Sequence, residues 1–160
     1  MSGVPRDFDR IVEQCLLMEL QAMNLYTILA NRTVDDEAKR VLRYLAEMEE
    51  SHVGRLVEIF SAVRKDAESS LSRVDIVKAF QEEAWKLYKA RLTGAGLNEE
   101  SPADDYLTFA IVAEAHAQAH YDRLSREETE PRVKEIFRTL AREEGEHGEH
   151  LKRIQRMLRG

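Results

Sequence analysis

The chain has 160 residues and a mass of 18.5 kDa, with 43% hydrophobic and 34% charged residues and a formal net charge of −6. That length corresponds to about one domain, and the apolar share is enough to build a core, which excludes an intrinsically disordered chain. The longest run without a charge is Leu20 to Asn31, 12 residues, against roughly 18 needed to cross a bilayer, so no membrane association is expected. Arg6, Asp7, Asp9, Arg10, Glu13 and Glu19 interrupt the first segment where a secretory signal needs an unbroken apolar stretch, so the chain is expected in the cytoplasm. An acidic balance repels phosphate backbones, and no nucleic-acid partner is expected. The basic residues Lys152, Arg153, Arg156 and Arg159 at the very end read as complements to a helix C-terminus. Cys15 stands alone, which excludes an internal disulfide and a four-thiolate metal centre, so any metal must be held by Asp, Glu and His.

Sparse glycine and proline leave long segments with apolar residues at three- and four-residue spacing, the signature of amphipathic helices. The first helix is expected at 7–32, entered through Pro5 and Asp7. The second is expected at 35–66, opened by Thr33 with Asp36 three residues on. A polar break, Glu68 to Arg73, follows. A shorter helix at 74–92 carries Ile76, Phe80, Trp85, Leu87 and Tyr88 and stops at Gly94, Gly96 and Asn98. A helix at 103–126 starts at Ser101 and Pro102 with Asp104 at the capping-box position, and the last runs from 130 to 158. Two long hairpins joined by a long connection describe an all-α four-helix bundle with one crossover.

Set against itself at an offset of 95, the sequence aligns residues 12–60 with 107–155 without a gap, and 12 of 49 positions are identical. One domain, 1–160, containing two duplicated hairpins, is the expected organisation. The identities include Glu19/Glu114, Ala22/Ala117, Tyr26/Tyr121, Glu49/Glu144 and His52/His147.

Glu19 lies on the stripe Cys15, Ala22, Tyr26, Leu29, and Glu114 on Ala110, Ala117, Tyr121, Leu124; both stripes have the spacing of a helix face turned to a core. Glu49 shares its face with Leu42, Leu45, His52 and Leu56, and Glu144 with Phe137, Leu140, His147 and Leu151. Each Glu-x-x-His pair is about one helical turn apart, so carboxylate and imidazole converge on one point. Four inward carboxylates need compensation, because an isolated buried charge costs several kcal/mol. No Lys or Arg shares these faces. Two divalent cations would balance four carboxylates, with the imidazoles filling remaining coordination positions. Glu19, Glu49, His52, Glu114, Glu144 and His147 are therefore the expected ligands of a two-metal centre, and carboxylate-rich ligation suits iron or manganese. Zinc would fit without redox work.

MELQAMNLY at 18–26, EESHVGRL at 49–56, EAHAQAHY at 114–121 and EGEHGEHL at 144–151 resemble the four helix motifs of rubrerythrin-type, ferritin-like proteins. The resemblance implies a ferritin-like bundle holding two iron ions that react with O2 or hydrogen peroxide, with an external electron donor. It also implies Glu49 and Glu144 as terminal ligands beside their histidines, Glu19 and Glu114 as bridges, and Tyr26 and Tyr121 hydrogen-bonded to the site. Two departures bear on activity. Cys15 alone cannot furnish a rubredoxin domain. Ala117 stands where such peroxidases carry an extra carboxylate, which brings the ligand set nearer to that of bacterioferritin.

The remaining candidates have plainer roles. Glu47, Glu50, Glu143, Glu146 and Glu149 sit at other helical angles and read as solvated or supporting groups. His150 matches Arg55 in the repeat, not a ligand. His116 and His120 read as interface or surface residues, and Cys15 as small core packing. The expected function is oxidation of Fe(II) by O2 or peroxide, with iron storage or delivery as the alternative and a metal-free helical module as a third. A homodimer is the expected assembly.

Overall fold

The computed structural model describes residues 8–63 and 73–160, without the side chains at 9, 60–63, 73, 74 and 76. Five helices follow one another: α1 (Phe8–Arg32), α2 (Asp36–Val63), α3 (Arg73–Gly94), α4 (Ala103–Glu127) and α5 (Pro131–Arg159), with no strand among the described residues. Three-residue loops fold α1 against α2 and α4 against α5. The two pairs meet along α1–α4 and α2–α5, and the crossover helix α3 lies on α1. This is the ferritin-like arrangement expected from the hairpin pattern. The entry through Pro5 and Asp7, the end of helix 2 at 66 and the polar break from Glu68 lie outside the described residues, as does the side chain of Ile76.

Two of the expected helix starts are built differently. The Thr33 hydroxyl donates back to the Leu29 carbonyl at 2.6 Å, closing α1 instead of opening α2. Asp35 opens α2, its Oδ1 accepting from the Ala38 backbone N–H at 2.8 Å. Pro102 stands at the start of α4 with no side-chain cap. Asp104 is drawn away by Arg159 at the end of α5, which donates two bonds to it at 2.7 and 2.8 Å, and the Ser101 hydroxyl accepts from the Asn98 N–H instead. At α5 the Glu130 side chain accepts from the Val133 N–H at 2.7 Å, with Pro131 in the first turn. The α3 terminus is a Schellman turn: Leu97 N–H bonds to Leu92 O and Gly96 N–H to Thr93 O, with Gly96 at φ 75°, a conformation that only glycine adopts freely.

The core consists of two apolar clusters stacked along the bundle. One gathers Val12, Leu16, Leu20, Val53, Leu56, Leu124, Phe137 and Leu140, the other Leu25, Leu29, Leu42, Leu45, Tyr106, Leu107, Leu151 and Ile154. Along α2, α4 and α5 the residues between the clusters include Glu49, His52, Glu114, Glu144 and His147; Glu19 of α1 meets them at the same level. A polar layer thus lies between two apolar ones.

Candidate metal centre

Glu19, Glu49, His52, Glu114, Glu144 and His147 are all buried, none more than 2% exposed. Each lies on the inward stripe of its helix, so the apolar residues that drive packing also carry these polar groups out of water. Their donor atoms form two quartets, each within 4.8 Å: Glu19, Glu49, His52 and Glu144 in one, Glu49, Glu114, Glu144 and His147 in the other. The residues common to both are Glu49 and Glu144. Glu19 and Glu114, which the resemblance implies as bridges, each belong to one quartet only. The physical reason is that α2 and α5 face each other across the bundle, so their glutamates reach both quartets, whereas Glu19 and Glu114 each reach one.

His52 Nδ1 lies 2.7 Å from Glu144 Oε1, 3.3 Å from Glu49 Oε2 and 3.4 Å from Glu19 Oε2. His147 Nδ1 lies 2.8 Å from Glu49 Oε1. The two imidazoles stack with centroids 5.3 Å apart. The tyrosines cross between the halves: the Tyr26 hydroxyl donates to Glu114 Oε1 and the Tyr121 hydroxyl to Glu19 Oε1. Burial and the neighbouring carboxylates push both phenols well above their ordinary range, so they remain protonated donors.

The electrostatics show how poorly the layer tolerates bare negative charge. Burial, then repulsion from Glu19 and Glu144, raises Glu49 well above the usual carboxylate range; burial and Glu144 do the same to Glu114. Burial also opposes charge on Glu144, but contacts with Glu114, His147 and His52 outweigh it and hold its carboxyl below the usual range. Burial disfavours the charged form of His52, yet Glu144 and Glu19 overcome it and push the imidazole up to about 10. Glu49 Oε2 and Glu114 Oε2 are buried without a hydrogen-bond partner among the described residues. Buried acceptors without donors are costly, and a cation is the group that such a set lacks. The residues therefore fit a pair of divalent ions.

Glu143 is the residue that spacing alone did not single out as part of the site. It is buried, where the other flanking acids Glu47, Glu50, Glu146 and Glu149 are exposed. Its Oε2 accepts from His52 Nε2 at 2.6 Å and from Arg55 at 3.1 Å. His116 is exposed and His120 half-buried against Cys15 and Arg123; His150 packs edge-on to Tyr44. None of these joins the quartets. Cys15 is buried and its thiol is pushed up by burial, as core packing requires. A cavity of about 60 Å³ adjoins Glu19, Glu114 and Glu144 between α1 and α4, with Ala117 in its wall and Tyr88 and Arg91 of α3 above it.

A helical bundle with a buried layer of four carboxylates and two imidazoles able to hold metal is the arrangement on which carboxylate-bridged di-metal bundles are built. The sequence model of rubrerythrin matches residues 10–155, and the chain belongs to the rubrerythrin family. Neither the curated proteins nor the solved structures include a match to it. No helix among the described residues is long and apolar enough to cross a membrane.

Proposed function

We propose that the chain, acting as one domain over 1–160 with duplicated halves 12–60 and 107–155, is a non-haem di-iron protein that oxidises Fe(II) with O2 or peroxide. The carrying observation is the pair of quartets that share Glu49 and Glu144 in a layer closed off by apolar clusters. Glu19 and His52 would hold one ion, Glu114 and His147 the other, and Glu49 and Glu144 both. Iron bound there would supply the electrons for reduction of the oxidant, two per pair, to be restored by an external donor. The protein's part is to hold the ions in a dry site, fix the carboxylates and admit the oxidant. Tyr26 and Tyr121 hold Glu114 and Glu19 by hydrogen bonds, which keeps those carboxylates oriented. The cavity beside Ala117 has room for a molecule the size of O2, peroxide or water.

Manganese fits the same donors, and zinc would occupy them without redox work. Iron storage or delivery without turnover is favoured by one observation: Ala117 adds no carboxylate to the cavity wall beyond the candidate ligands Glu19, Glu114 and Glu144, so no free acid stands there to move protons to or from a bound oxidant. Anaerobically loaded protein mixed with O2 or peroxide is expected to develop a ferric absorption band in the near ultraviolet. Repeated turnover with a supplied reductant separates the enzyme from the store. A folded, iron-loaded protein that develops no band contradicts both redox readings. Light scattering tests the homodimer.

A further inference from the structure

The offset of 95 that pairs the ligands breaks down one residue before them. Glu143 corresponds to Met48, and Arg55 to His150. The structure carries this mismatch into the centre. His52 presents Nδ1 to the quartet and donates its Nε2–H to Glu143 at 2.6 Å, and Arg55 bonds the same carboxylate oxygen at 3.1 Å. His147 also presents Nδ1 to the quartet, but its Nε2 is buried with no hydrogen-bond partner among the described residues. An imidazole that binds a metal through Nδ1 must keep its proton on Nε2. A carboxylate acceptor there fixes the tautomer, holds the ring plane and strengthens the donor nitrogen. Arg55 neutralises that carboxylate and anchors it, so the support adds little net charge to the layer. Among the described residues His147 has no such support, which leaves a buried N–H unpaired when it binds.

We propose that Glu143 is a positioning residue that makes the Glu19–His52 position the tighter of the two, so that the centre fills in order, this position before the Glu114–His147 position. The inference rests on the two-metal reading above and concerns the difference between its halves. Loss of a residue that supports a metal-binding histidine typically costs about 10- to 100-fold in affinity, which sets the expected gap between the two dissociation constants.

Anaerobic Co(II) titration of the full chain, followed by visible absorption with a competing chelator, tests this. Wild type should bind two equivalents in two steps separated by about 10- to 100-fold. Glu143→Met, which places the same residue in both halves, should weaken the first step into the second and leave one class of two ions. Glu143→Gln keeps an oxygen acceptor without the charge and should narrow the gap by roughly three- to tenfold, since charge-assisted bonds are about twice as strong as neutral ones. Circular dichroism of the metal-free variants shows whether each is folded; if Glu143→Met is not, the gap in Glu143→Gln decides. Two equal sites in wild type, or a gap unchanged in the folded variants, overturns the proposal while leaving the di-metal centre standing. No cobalt uptake by wild type overturns both.

Discussion

Glu49 and Glu114 are carboxylates that the fold prefers to keep protonated when no cation is present, and His52 is an imidazole that it prefers to keep charged. The consequence for stability follows from linkage. Above the ordinary carboxylate value of 4.5 the unfolded chain releases protons that the folded chain retains on Glu49 and Glu114, so stability falls as pH rises. His52 adds a contribution fully present below 6.5 and lost as pH rises through about 10. Chelator-treated protein should therefore show a Tm that declines from about pH 5 towards pH 10, and bound divalent metal, by displacing these protons, should remove most of the decline. A flat or rising Tm across that range in metal-free protein contradicts the assignment. All six of the ligating candidates were legible in the sequence, because each is a polar residue at an apolar register and each recurs at the offset. Which glutamates are shared was not legible, since spacing along one helix does not say what that helix faces. Glu143 was concealed for the same reason: its partners His52 and Arg55 sit on α2, across the bundle. The signal for it was its mismatch with Met48 beside matched ligands.

At the scale of the helix, the periodic pattern located all five elements, with the ends that fall among the described residues placed to within a few positions, while their starts depended on competition between short polar side chains. Thr33 and Asp35 both precede α2, and only the geometry shows that the hydroxyl turns back to Leu29 while the carboxylate turns forward to Ala38. Asp35→Ala should cost about 0.5–2 kcal/mol as the loss of an N-cap. Thr33→Val, which removes only the hydroxyl's bond to the Leu29 carbonyl, should fall at or below the low end of that range, about 0.5 kcal/mol. Urea unfolding of the two variants measures both. A larger loss from Thr33→Val than from Asp35→Ala would restore Thr33 as the cap. Asp104 was misread because its partner, Arg159, lies on another helix and so outside any local motif.

Over the whole molecule, two apolar clusters enclose one charged layer, and a cavity at that layer opens between α1 and α4, beneath α3. The crossover helix thus covers the side of the bundle from which, on the proposed function, a small oxidant would reach Glu19, Glu114 and Glu144. Ala117→Leu fills part of that cavity from its wall without removing a ligand. Stopped-flow mixing of the iron-loaded variant with O2 or peroxide should show oxidation slowed at least several-fold, with the number of ions bound unchanged. An unchanged rate would place the route elsewhere. Whether two ions share Glu49 and Glu144 is read from an anaerobic Fe(II) titration followed by metal content per chain. Wild type should retain two ions, Glu19→Ala one, and the combined Glu49→Ala and Glu144→Ala variant none. Retention of iron by that folded double variant, or no retention by wild type, would contradict that sharing.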